Sequence, residues 1–374
     1  MIELKKSKLL KFNKDKIRNK NVLIRVDFNI DLIKGKILNS YRILAIKETL
    51  NFLKPAKRVV LISHFGDPEP GQESKYSFKK ILPLIEKLLK VKIGFLKDFN
   101  SEPKEKFNLF ENIRFFKGEK NCDLNFAKKL ASLGEVFVYE AFSVSHRKHA
   151  SVYILPKILP TYYGFHFEKE INLLNKILKD LKNCALILGG AKISTKLPLI
   201  KKFLKKSKLI ILGGGLANTF LKTKGFEIGS SLVEENSLKE IEKIHSPKIL
   251  TPFDFYVLNK NKIFHRFLGE IKKEDKIYDV GEESLKIFFE ELKKTKNIVF
   301  NGPVGLVENK KFEKGTLKLL KFLIQLKNKF ILIGGGDTLA FLEKKKLLKK
   351  FKVSTGGGAM LYYLAEEKIW TEEK

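Results

Sequence analysis

Cysteine is nearly missing from this chain. Two residues, Cys122 and Cys184, occur among 374. They have no metal-ligand spacing and cannot build a disulfide framework, so two reduced thiols are expected. Long apolar runs are absent as well. No uncharged stretch is long enough to cross a bilayer, and the start, MIELKKSKLLKFNKDK, lacks the apolar segment of a signal peptide. A cytoplasmic, non-membrane protein is therefore expected. Acidic residues are scarce beside basic ones, 42 against 74, for a net charge of +32. Yet there is no basic tail, no basic low-complexity block and no nucleic-acid motif. The lysines are spread over the whole length among Ile, Phe and Asn, as in a coding bias, and no specific nucleic-acid partner is expected. The charge should still make the handling of acidic substrates strongly salt-dependent.

Arginine is the sharper scarcity. Arg18, Arg25, Arg42, Arg58, Arg114, Arg147 and Arg266 are all there are, and only Arg266 lies in the second half. If lysine has replaced arginine wherever the change is harmless, the survivors are candidates for planar, bidentate recognition of carboxylate or phosphate. Arg18, Arg58 and Arg266 sit in no motif and read as structural.

What is present is alternation. Short β-branched runs (VLIRVDF, RVVLISHF, EVFVYEAF, CALILGG, KLIILGGG, NIVFNG, FILIGGG, KVSTGGG) alternate with amphipathic segments such as SFKKILPLIEKLL, LPLIKKFLKK and TLAFLEKKKLLKK. At this length and with 44% hydrophobic residues, that pattern predicts an α/β fold of two doubly wound, Rossmann-like parallel-sheet domains. The boundary is expected near GFHFEKEINLLNKILKD, a long amphipathic segment suited to a hinge helix. This gives a first domain over residues 1–165 and a second over 166–359 that includes the helix.

The halves differ in how their strands end. In the second, strand after strand runs into glycine: LGGAK, LGGGLANT, NGPVG, IGGGDT and STGGGA. Glycines beyond the carboxyl ends of parallel strands let backbone approach a ligand, and the helix N-termini that follow offer free N–H groups. One such turn is weak evidence, but the set points to a nucleotide. The spacing is not that of a Walker A loop, so the lysine pair in GGAKISTK, Lys192 and Lys196, needs another explanation. In the first half the strands end in RVDFN, SHFGD, ENIRFF and EAFSVSHRKHAS. These place Asp27, Asn29, His64, Arg114, His146 and Arg147 where a small anion could sit, with Arg42 opening a nearby helix. A nucleotide half and an anion half imply phosphoryl transfer.

Taken in order, RVDFN, SHFGDP, LFENIRF, HRKHAS, GGAKIS, GGGLANTFL, NGPVGLVE, IGGGDT and STGGGA resemble the phosphoglycerate kinase family along nearly the whole chain. The resemblance implies transfer of a phosphoryl group between ATP and the carboxylate of 3-phosphoglycerate, a glycolytic reaction that needs Mg²⁺. It implies a monomer with two domains that close around the reaction and exclude water, and a C-terminal stretch, 360–374, returning to the first domain. It puts 3-phosphoglycerate against Asp27, Asn29, Arg42, His64, Arg114 and Arg147. It puts ATP or ADP along Gly190, Lys196, Gly214, Asn301, Pro303 and Glu308, with Gly335, Gly336 and Thr338 at the phosphates and Asp337 near the Mg²⁺. Lys192 and Arg42, with amides of Gly356 and Gly357, would meet the phosphoryl group in flight. In isolation Asp337 also suits a helix N-cap, and His64 alone suits a structural role.

The chain departs from the family's pattern at several positions. Asp67 stands where H-L-G-R-P has arginine, which reverses a charge in an anion pocket, and Lys148 is a nearby candidate to compensate. Ser143 and Val144 replace a glycine and a threonine, Thr195 replaces an acid, and Asp31 replaces a proline. Weaker 3-phosphoglycerate binding is expected. The alternatives are a kinase for another small carboxylate and a weakened, basic nucleic-acid-binding protein.

Overall fold

The computed structural model describes residues 13–30, 32–33, 36–37 and 40–369. Asp31 and the ends of the chain, 1–12 and 370–374, lie outside them. Two compact units emerge, one running to Asn172 and resuming at Gly358, the other spanning Leu173–Gly357.

In the first unit the apolar runs form strands β1 (Asn21–Arg25), β4 (Arg58–Ile62), β5 (Ile93–Leu96), β6 (Phe107–Phe110), β7 (Val136–Tyr139) and β8 (Thr161–Tyr163), with a two-stranded hairpin, β2 (Leu32–Ile33) and β3 (Lys36–Ile37), after the first. The sheet runs β5-β6-β4-β1-β7-β8 and every pairing in it is parallel. Helix Phe78–Leu89 shows why helices cover it. Phe78, Ile81, Ile85 and Leu89 recur at helical spacing and are buried, Ser77 caps the start, and Lys90 ends it at a positive φ of 57°. Each such side chain taken out of water is worth roughly 1.5–3 kcal/mol.

The second unit holds β9 (Cys184–Leu188), β10 (Leu209–Leu212), β11 (Ile249–Leu250), β15 (Asn297–Asn301), β16 (Phe330–Gly334) and β17 (Lys352–Val353) in the order β11-β10-β9-β15-β16-β17, again all parallel. The chain order reverses between β9 and β15, which is where a doubly wound sheet opens a ligand crevice. A feature not anticipated is an antiparallel sheet, β13-β12-β14, from β12 (Asp254–Asn259), β13 (Lys262–Phe267) and β14 (Lys276–Val280). Strand β13 is almost wholly exposed, so its sequence carries no buried-strand signature.

The units divide at 172/173 and 357/358, against an expected 165/166 and 359/360. The expected hinge helix, Phe165–Lys179, starts in the first unit because its first turn packs there. Phe167 stacks on Tyr163 at 4.3 Å and lies 5.0 Å from Tyr139, while Phe165 meets Phe52 edge-on. Helix Gly358–Glu366 also belongs to the first unit, with Tyr363 edge-on to Phe142 at 6.4 Å.

Candidate active site

Strands β6, β4, β1 and β7 are consecutive neighbours, so the residues that follow their carboxyl ends share one edge of the first sheet. Asp27 and Asn29 follow β1, His64 follows β4, Arg114 follows β6, and Ser143, His146 and Arg147 follow β7. Asp27 and Asn29 make a tight turn, in which the Asn29 amide donates to Asp27 Oδ1 at 2.9 Å. Arg42, in helix Tyr41–Ala45, donates to the Asn29 carbonyl at 2.8 Å and lies 3.4 Å from Asp27 Oδ2. Asn29 Oδ1 accepts the Gly66 amide at 2.8 Å, which ties β1's end to β4's. Glycine is required at 66: its φ is +63°, and a Cβ would lie 2.2 Å from the Tyr76 ring.

His64 is buried, and its Nδ1 lies 3.2 Å from Arg25 Nη2. A guanidinium only donates, so Nδ1 accepts and the ring proton sits on Nε2. Burial first, then Arg25, Arg114, Arg147 and Arg42, hold the imidazole pKa well below its ordinary value. His64 is therefore a neutral donor ringed by the arginines that the composition singled out. Arg25 is one of the scarce arginines that are candidates for anion recognition, but its motif assigns it no ligand of its own. It is wholly buried, donating from Nε to Ser151 Oγ at 3.0 Å, while Ser151 in turn donates to buried Glu119. Arg114 is also buried. Burial and the neighbouring Arg147 lower its pKa to about 10, so it remains charged at neutral pH. Its Nη1 donates to the Gly66 carbonyl. His146, held to about 4 by burial and Arg147, is neutral as well.

The departures sort by environment. Val144 is buried and belongs to the core. The Ser143 hydroxyl donates to Asp27 Oδ2 and so occupies an oxygen of a ligand candidate. Asp67 meets Lys120 and lies 3.7 Å from Arg114. Lys148, the expected compensator, instead lies over the Tyr153 ring, 5.2 Å from its centroid.

In the second unit the glycine turns converge at the β9/β15 reversal. Gly189 and Gly190 donate to the carbonyls of Asn301 and Pro303, and Gly214 donates to that of Val304. The approach is so close that a Cβ on Gly189 would sit 1.9 Å from the Pro303 carbonyl oxygen. Lys196 is buried beneath this crossing and donates to the carbonyls of Gly189 and Asn301. Burial lowers its pKa to about 8, with Asp337 opposing. Asn301 is buried too, and its Nδ2 has no hydrogen-bond partner. Such an orphaned donor costs about 1–3 kcal/mol unless a ligand meets it. A cavity of about 200 Å³ opens here, lined by Gly190, Gly214, Pro303, Glu308 and Asp337, with Leu232 and Tyr278 adding apolar surface that the sequence reading did not name.

Some roles shift on inspection. The cap of helix Gly336–Lys344 is Gly335, at φ +95°, and Asp337 is the helix's second residue rather than its cap. Thr338 is fully buried, its hydroxyl accepts the Gly302 amide, and its own N–H belongs to the first turn of the helix. The Gly356 amide donates to Ser354 Oγ, while a Cβ on Gly357, at φ +50°, would meet nothing within 4 Å. Lys192 is exposed. Thr195 donates to the Lys192 carbonyl, and Glu234, also not anticipated, clamps the same loop through the Ser194 amide and hydroxyl. Among the described residues no group of three or more His, Cys, Asp or Glu could hold a metal by themselves. Asp337, one of two exposed carboxylates on the cavity with Glu308, fits a cation such as Mg²⁺ that takes its remaining ligands from phosphates and water.

Comparison with known proteins agrees along nearly the whole chain. The family model described as phosphoglycerate kinase matches residues 12–367. A phosphoglycerate kinase of Coprothermobacter proteolyticus is 38% identical, covering 96% of each chain, and one of Wigglesworthia glossinidia brevipalpis is 37% identical over 97% of this chain and 95% of its own. Among solved structures, the phosphoglycerate kinase of Coxiella burnetii superposes with a TM-score of 0.81 at 31% identity, and that of Pyrococcus horikoshii with 0.83 at 29%, each over 95% of both chains. With both α/β sheets, the two polar clusters and these matches in agreement, this chain belongs to the phosphoglycerate kinase family.

Proposed function

We propose that the protein catalyses reversible, Mg²⁺-dependent phosphoryl transfer between ATP and the carboxylate of 3-phosphoglycerate, giving 1,3-bisphosphoglycerate and ADP, as a monomer in the cytoplasm. The observation that carries this reading is the pairing in one chain of an arginine-ringed neutral histidine with a glycine cradle holding an orphaned Asn301 donor. No helix among the described residues is long and apolar enough to cross a membrane.

On this reading the first unit binds the acceptor. Arg42, Arg114 and Arg147 neutralise its charge, and His64 donates from Nε2. Asp27 and Asn29 orient it through the turn they share. The nucleophile is a carboxylate, ionised at neutral pH, so no general base is needed. The second unit binds the nucleotide. Asn301 Nδ2 and the first amides of helix Gly336–Lys344 meet phosphate oxygens, and Glu308 meets the ribose. Asp337 would hold the Mg²⁺, which supplies charge neutralisation at the phosphates. Lys192 is exposed and, among the described residues, has no ion-pair or hydrogen-bond partner for its ammonium, so it is available to the phosphoryl group in flight. Lys196 works one layer down. It fixes the carbonyls of Gly189 and Asn301 and so shapes the cradle. The acyl-phosphate product demands that water be kept out during transfer.

The test is steady-state turnover with Mg-ATP and 3-phosphoglycerate, trapping the acyl phosphate, for the native protein and Lys192→Ala. Turnover that collapses in the variant is the expected result. Nucleotide binding without turnover would turn the search to other small carboxylates.

A further inference from the structure

Asp67 is the charge that the site does not need, and its surroundings show what it does. It follows Gly66, whose carbonyl accepts from Arg114 Nη1. Its Oδ1 contacts Lys120 Nζ and lies 3.7 Å from that same Arg114 Nη1. The Arg114 side chain is 4% exposed, but those of Asp67 and Lys120 are 63% and 46% exposed. A buried guanidinium, charged at neutral pH, thus faces an anion from its own chain, and a half-exposed lysine contacts the same Oδ1 of that anion. The Asp67 carboxyl is held below its ordinary pKa, chiefly by the hydrogen bond from Lys120. It is therefore an anion at every working pH.

We infer that Asp67 is a resident, displaceable counter-anion that competes with the acceptor's own anionic group for Arg114, and that Lys120 tunes the competition by sharing Asp67 Oδ1 with Arg114. The inference rests on the kinase reading for the identity of the acceptor. Ion pairs this exposed are worth little, so an incoming phosphate can displace Asp67. With Lys120 removed, Arg114 becomes the nearest partner of Asp67 and the block strengthens. With the charge of Asp67 removed, Arg114 is open and Lys120 has nothing left to tune. Lys120 is therefore a positioning residue, and its effect depends on Asp67.

The experiment uses four full-length proteins: native, Asp67→Asn, Lys120→Ala and the double variant. It measures kcat and KM for 3-phosphoglycerate, and the Kd of inorganic phosphate by calorimetry without nucleotide. Asp67→Asn should lower KM and the phosphate Kd about two- to fivefold, and Lys120→Ala should raise both by a similar factor. In the Asp67→Asn background, Lys120→Ala should change neither by more than about 1.5-fold, with the effects falling on KM rather than kcat. The inference is overturned if Asp67→Asn leaves both constants unchanged or raises them. It is equally overturned if Lys120→Ala acts alike in both backgrounds, which would make Lys120 a direct ligand. Should the native protein turn over no 3-phosphoglycerate, the kinase reading falls, yet the phosphate Kd of the same four proteins still decides the role of Asp67.

Discussion

On the proposed function, the two units hold anions by different means. The first uses side chains: Arg25, Arg42, Arg114 and Arg147 around one neutral histidine. The second uses backbone: glycine turns that cross within contact distance, a helix start, and one buried lysine bracing carbonyls from below. The difference follows from ligand shape. A compact anion offers few atoms and must be met by concentrated, directional charge. A polyphosphate chain is extended, and oriented amides can follow it where side chains would be in the way. A side-chain site can be re-tuned by one substitution, the role inferred above for Asp67. A backbone site cannot, because what it needs is the absence of side chains.

The contrast can be broken experimentally. The largest effect is expected at Lys192, the exposed cation on the backbone-built side. Lys192→Ala should lower kcat by about 10²–10³, with nucleotide Kd nearly unchanged, since its charge is used in the transition state. A drop of only a few fold would move the transfer role elsewhere. Next is Arg114→Ala, which should raise KM for the acceptor by about 10- to 100-fold through loss of a charge-assisted contact. Calorimetric ATP affinity should not move, and if it does, the two frames are not separate. Gly189→Ala tests the other frame. Its Cβ would meet the Pro303 carbonyl oxygen at 1.9 Å, so the second unit should lose about 1–3 kcal/mol in urea unfolding along with nucleotide affinity. Full tolerance would show that the crossing has slack.

The smallest effect concerns pH and distinguishes the units by one carboxyl each. Burial pushes Glu140, in the first, to about 8 and Asp279, in the second, to about 7. Each binds a proton when folded that it releases when unfolded, so its stabilisation is complete at low pH and is lost as pH rises through those values. His146 and His149, held near 4, act in the opposite sense only below their ordinary value of 6.5. Lys196, lowered to about 8, adds stability as pH rises through that value, so the carboxyls dominate only between about pH 6.5 and 7.5. Stability should fall by at most about 1.4 kcal/mol per pH unit per group, levelling near pH 7 for the second unit and near 8 for the first. Thermal scans across this range check the sign, and a rise would refute the assignment.

Much of the site was legible because it is written in short stretches. An apolar run ending in RVDFN or LGGAK places its polar or glycine residues at a strand's carboxyl end, and parallel pairing then gathers those ends. Asp337 was legible as a ligand candidate but not as the helix's second residue, because a single φ at Gly335 decides where the helix begins. Sheet β13-β12-β14 was not legible. With little of β13 buried, KIFHRF carries no period for reading.

By itself, then, the sequence determined the alternation of strands and helices, the two kinds of strand end, and the membership of the chain in its family. These depend on near neighbours and on the order of motifs. Tertiary structure alone decided which charges meet. Arg25 sets the His64 tautomer across 39 positions, Glu234 clamps the Ser194 loop across 40, and Lys120 rather than Lys148 reaches Asp67. No local pattern encodes such pairs, because a charge finds its partner through the sheet order that brings distant strand ends together and through the burial that makes an unpaired charge costly.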